Sequence, residues 1–118
     1  MNTDSNIHSP RELARLYFEM WNTGDTTAAA QILSAHWADH SHPEARDPQG
    51  VREAVAEIRA ARPDLRFEIE TIFTEGDRAC VVGGVGVPGA PGQIAGRLVW
   101  LFQVRDGRLA ELWTYRAA

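Results

Sequence analysis

The sequence predicts an α+β domain, with helices packed on one face of a mainly antiparallel sheet, from three observations. Apolar residues recur at helical spacing from Leu13 to Ile58, and from Leu65 the apolar period changes to two. Near the C-terminus Asp106-Gly107 separates two alternating apolar runs, a strong short-range hairpin signal. Three helices followed by a four-strand meander form two layers around one core. If the sheet curves strongly it becomes a cone, and the space its concave wall and the helices leave unfilled becomes a pocket.

Ser9-Pro10-Arg11-Glu12 reads as a helix start, with Ser9 as N-cap, Pro10 at the first helical position and Glu12 closing a capping box. Leu13, Leu16, Tyr17, Met20 and Trp21 give that helix an apolar face, and Gly24 ends it. Asp25 caps a second, short helix through Leu33. His36 to Pro43 is too short and polar for a helix and is expected to form a brief strand entering a loop. Asp47-Pro48 starts a third helix whose Val51, Ala54, Val55 and Ile58 share a face, and Pro63 closes it. Leu65, Phe67, Ile69 and Thr71 alternate with Arg66, Glu68 and Glu70 in a half-buried strand, which Glu75-Gly76-Asp77 turns. Arg78 to Val87 is the next strand, where Gly83, Gly84 and Gly86 permit bending, and Pro88 to Gly92 is a loop.

A two-residue turn at Asp106-Gly107 sets Val104 opposite Leu109, Phe102 opposite Glu111, Trp100 opposite Trp113 and Leu98 opposite Tyr115. All eight then share one face, an apolar and aromatic wall carrying one carboxylate. Such a wall is either core or the lining of a ligand pocket. Glu111 keeps the second reading open, because an ionised carboxylate seldom sits unpaired in an apolar interior. A three-residue turn with a glycine bulge is the alternative, pairing Trp100 with Leu112 and swapping the face of the last strand.

The 118 residues suit one domain, residues 1–118, and 44% apolar with 24% charged content is ordinary for a globular chain. A net charge of −4 argues against a nucleic-acid partner, and no run is apolar enough to span a membrane. The polar N-terminus lacks a secretory pattern, so a cytoplasmic location is expected. All twelve basic residues are Arg, which excludes lysine Schiff-base chemistry. Cys80, the single thiol, excludes intrachain disulfides and thiolate clusters; its apolar run suggests a small buried hydrophobe.

The segments YFEMWNTGD, WADHSHP, PDLRFEIE, EGDRACV and FQVRDGRLAELW, in that order, resemble the SnoaL-like polyketide cyclase family of the NTF2-like superfamily. The resemblance runs from about Tyr17 to Tyr115 and lies in order and spacing rather than in one motif. It implies a cone-shaped α+β barrel with a deep pocket, no metal, and often a homodimer packed through sheets. In the family's cyclases an aspartate four residues beyond the last-strand tryptophan moves the proton. Trp113 matches that tryptophan, but Ala117 stands at the aspartate's place. The family's Asp-His pair is matched by Asp39 and His40, and its aromatic in the first helix by Tyr17 or Trp21.

Acid/base chemistry on a small apolar ligand is therefore one expectation, and a non-catalytic binding or dimerisation domain the other. In the first, His40 moves the proton, Asp39 or Glu111 orients or assists, and a Tyr17 or Tyr115 hydroxyl stabilises enolate charge. Tyr17, Trp21, Trp100, Phe102, Trp113 and Tyr115 are the expected ligand wall. Each titratable candidate also has a structural reading: Asp39 braces the local turn, His40 is a satisfied hydrogen-bonding residue, and Glu111 pairs with an Arg at the mouth. His40-Ser41-His42 with Glu44 is too weak a pattern for a metal centre, and no cofactor is expected.

Overall fold

A computed structural model describes residues 8–116. Helix α1 spans Pro10–Thr23, with the Ser9 hydroxyl accepting the Glu12 N–H and Gly24 closing it in the left-handed region. The Asp25 carboxylate takes the Thr27 amide and hydroxyl, so the chain turns before α2 (Ala29–Ile32) begins. The second helix is thus shorter than expected, and β1 starts at once, at Leu33–Asp39. Asp47 caps α3 (Pro48–Ala61) through the Gly50 N–H.

Four further strands follow: β2 (Phe67–Glu75), β3 (Arg78–Val87), β4 (Ala90–Arg105) and β5 (Arg108–Arg116). Their order in the sheet is β1-β5-β4-β3-β2, antiparallel except for β1, which runs parallel to β5. Among the described residues, then, a fifth strand flanks the expected four-strand meander and separates α2 from α3. β4 also begins earlier than the sequence suggested, because Pro88-Gly89 alone makes the turn and Ala90 to Gly92 already lie in the strand.

The register of β4 with β5 corrects the expected wall. Asp106 and Gly107 both have positive φ, as a two-residue hairpin of the primed type requires. Arg105 faces Arg108 and Val104 faces Leu109, as foreseen. The pairing then slips by one, so that Phe102 faces Leu112, Trp100 faces Thr114 and Leu98 faces Arg116. A bulge at Ala110 accounts for the slip, and it moves Glu111, Trp113 and Tyr115 to the outer face. The reason is energetic. An unbroken ladder would bury Glu111 among aromatics at a cost of several kcal/mol. A bulge forfeits about one ladder hydrogen bond, roughly 1 kcal/mol. It also lets Leu109 and Leu112 both be buried.

The concave face and the helices share an aromatic core. Phe18 packs its ring 4.6 Å from Trp100 and 5.9 Å from Phe102, and Tyr17 lies 5.2 Å from Phe102 and 5.6 Å from Trp37. Asn22 fastens α1 to β2 like an extra strand: its Oδ1 accepts the Phe67 N–H at 2.7 Å and its Nδ2 donates to the Phe67 carbonyl at 3.0 Å. Arg59 of α3 donates to the carbonyls of Trp21 and Leu65. The three elements that meet there are thereby locked together. Among the described residues no helix is long and apolar enough to cross a membrane.

Candidate functional site

Between α1, α3 and the concave sheet lies a cavity of about 350 Å³. Tyr17 and Trp21 enter it from α1, where helical spacing puts them on the inward face. Trp100 and Leu98 enter from β4, and Leu112 and Thr114 from β5. α3 contributes Val51, Ala54 and Ile58. Phe102 does not reach it: the ring is fully buried between Tyr17 and Phe18 and belongs to the core. Trp113 is half-buried and Tyr115 is 54% exposed, both on the opposite side of the sheet.

Asp39, the last residue of β1, pairs with Leu112 and points inward with it. The residue is 7% exposed. One oxygen, Oδ1, accepts the backbone N–H groups of Ser41 and His42 at 2.9 and 3.2 Å. The side chain therefore does brace the turn, and the same residue lines the cavity. Tyr17 stands beside it; burial, and then the negative charge of Asp39, push the phenol well above its usual pKa.

His40 is the first residue of the turn after β1, and its side chain lies across the sheet from Asp39, with Glu111 and Trp113. Its Nε2 lies 3.0 Å from Glu111 Oε1, and its ring stacks on Trp113 with centroids 4.6 Å apart and planes 6° from parallel. Arg105 holds the other Glu111 oxygen. The hydrogen bond from His40, and next that from Arg105, lower the Glu111 pKa. This cluster, expected inside the cavity, is separated from it by the thickness of the sheet. The structure brings together Asp39, Tyr17, Trp21 and Trp100, and apart from them His40, Glu111 and Trp113.

Sequence reasoning missed Arg62, Arg116 and His42, which also line the cavity. Arg62 continues the α3 stripe four residues beyond Ile58, a spacing readable in advance; Thr114 and Arg116 become legible only once the Ala110 bulge is known. His42 lies near Glu44, its Nδ1 3.7 Å from Oε2, with both side chains largely exposed. Among the described residues no group of three His, Cys, Asp or Glu is arranged to hold a metal ion. Cys80, expected to be buried, is half-buried on the outer face opposite Leu101 and Phe73. Ala117 lies outside the described residues.

The model of the SnoaL-like domain family matches residues 14–112. Among solved structures, a SnoaL-like family protein from Agrobacterium tumefaciens str. C58 superposes with a TM-score of 0.75 at 16% identity, over 92% of this chain and 97% of that one. A SnoaL-like polyketide cyclase from the same organism gives a TM-score of 0.71 at 13% identity, over 94% and 93%. An NTF2-like protein of unknown function from Cytophaga hutchinsonii ATCC 33406 gives 0.71 at 14%, over 92% and 90%. Likeness at these identities establishes the fold. No curated protein matches the chain.

Proposed function

The chain belongs to the SnoaL-like domain family, and from that membership we propose that it binds a small, largely apolar molecule in the cavity and moves a proton on it through Asp39. The observation that carries this reading is that a buried acid, Asp39, and a buried phenol, Tyr17, line one apolar cavity. A carboxylate base and a fixed hydroxyl donor are the two groups that enolisation next to a carbonyl requires. Asp39 takes a proton from the carbon, the electron pair moves onto the carbonyl oxygen, and the Tyr17 hydroxyl donates a hydrogen bond to the charge that builds there. Return of the proton to another atom completes an isomerisation; attack of the enolate carbon on a second carbonyl closes a ring. The cyclase named among the structural relatives supports that reaction class. Trp21 and Trp100 supply flat apolar surface for a ring system.

The test is a panel of small polycyclic ketones screened by thermal shift, with product analysis for each compound that stabilises the protein. Asp39→Asn, which keeps the oxygen that Ser41 and His42 need, is expected to retain binding and lose turnover by 10²-fold or more, about the scale of general-base catalysis. Full turnover in that variant would remove Asp39 from the chemistry. A second reading, binding without turnover, is favoured by Ala117 at the place of the family's aspartate. It predicts stabilisation by the same compounds with no product from the unmodified chain.

The family resemblance also supports a homodimer, with the outer sheet face as its surface. There Phe73, Cys80, Leu101 and Trp113 form one row across four strands, and Phe73 is 60% exposed. The His40 ring, from the turn after β1, stacks on the Trp113 end of that row.

A further inference from the structure

The walls of the cavity change character along their length, and they do so in the same direction. On α3 the lining runs Val51, Ala54 and Ile58 and passes to Arg62, the residue just after the helix; on β5 it runs Leu112, Thr114 and then Arg116. Each row begins apolar and ends in an arginine. Asp39 is the register partner of Leu112, at the start of the β5 row. Arg116 is the partner of Leu98 at its finish, next to the strand positions of Gly83 and Ile69. Four strand steps carry the chain from Leu112 to Arg116, about 13 Å. Arg62 stands toward the Arg116 end, because its carbonyl accepts the Leu65 N–H and Phe67 comes two residues before Ile69. The lining therefore has Asp39 at one end and the two arginines toward the other, with indole and aliphatic surface between; Glu44, before α3, also lines it. Among the described residues neither Arg62 nor Arg116 forms an ion pair.

We propose that the molecule this cavity takes carries an anionic group, a carboxylate or comparable acid, at one end of an apolar body, and that Arg62 and Arg116 hold that group. This rests on the cavity being the binding site. Guanidinium groups present planar, forked donors that match a carboxylate in two hydrogen bonds each. Both side chains are exposed at the rim of the cavity and already hydrated, so what an acid gains there is the fork-to-carboxylate match and an attraction that salt screens. Anchoring the acid at this end also directs the rest of the ligand toward Asp39 and Tyr17, so the same contact sets orientation as well as affinity.

The experiment compares 2-naphthoate with its uncharged counterpart 2-naphthamide, using the full chain and reading binding by tryptophan fluorescence and calorimetry. The acid is expected to bind about tenfold tighter at low salt, with the difference shrinking as ionic strength rises. Arg62→Gln and Arg116→Gln are each expected to lower acid affinity several-fold, and together to abolish the preference while the amide binds as before. A thermal melt of each variant separates this from a loss of fold. Equal affinity of the two probes, or a preference that survives the double substitution, overturns the inference and leaves the cavity reading standing. Binding of neither probe overturns both.

Discussion

Glu111 is held from two sides, by the His40 ring at one oxygen and by the Arg105 guanidinium at the other. Its carboxyl is thereby kept below the usual value of 4.5. A carboxyl whose native pKa is depressed stabilises the fold fully above its unfolded value, and the contribution is lost as pH falls through the native one. Native stability should therefore begin to drop below about pH 4.5, partly on account of this residue. Glu111→Gln is expected to cost about 1 kcal/mol at pH 7, because the pair is partly solvated. It should also flatten the melting temperature between pH 3 and 5 relative to the unmodified chain. Thermal melts across that range measure both effects, and an unchanged slope would mean the cluster contributes nothing to acid sensitivity.

At the scale of elements, the helices were the most legible part of the chain. Ser9, Asp47, Gly24 and Pro63 punctuate α1 and α3 through backbone chemistry that depends on near neighbours only. The last strand was half legible. Its turn follows from Asp106-Gly107, but its outer register depends on where Glu111 can be solvated, a tertiary matter. One sign was present in advance: Leu109 and Leu112 are three apart, so a regular strand cannot set both on one face. With that bulge unseen, three aromatic and acidic residues were expected on the wrong face, and Thr114 and Arg116 were overlooked. The strand β1 was foreseen as brief, and its parallel pairing with β5 was not, since nothing local specifies a partner so distant in sequence. Glycine placement in β3 and β4 is testable at this same scale. A Cβ at Gly83 would run into the Glu68 carbonyl oxygen, whereas at Gly96 it would meet nothing within 4 Å. Gly83→Ala is expected to destabilise by about 2 kcal/mol or more, as overpacking against backbone does. Gly96→Ala should fall within about 0.5 kcal/mol of neutral or stabilise slightly. Urea midpoints decide; equal losses would mean that β2 and β3 do not approach as closely as described.

For the whole molecule, the sheet divides two tasks between two faces. Its concave side carries the cavity, with Asp39 and Tyr17 at one end and two arginines at the other. Its convex side carries the aromatic row and the Glu111 cluster. Alternation along each strand makes this division unavoidable, and a one-residue slip would exchange the two. The proposed dimer gives the convex side its occupant: a second copy of the same face, self-complementary about a twofold axis. Phe73 is the residue to change, because it is largely exposed within one chain and so supports little of the monomer. Phe73→Glu places a charge against its own image across the twofold, which an apolar interface cannot solvate. Sedimentation equilibrium should show a dimer for the unmodified chain at micromolar concentration and a monomer for the variant. The variant's naphthoate affinity should be unchanged, since the cavity opens on the other side of the sheet. A variant that remains dimeric would place the contact elsewhere, and a monomeric unmodified chain would leave the aromatic row without a partner of its own kind.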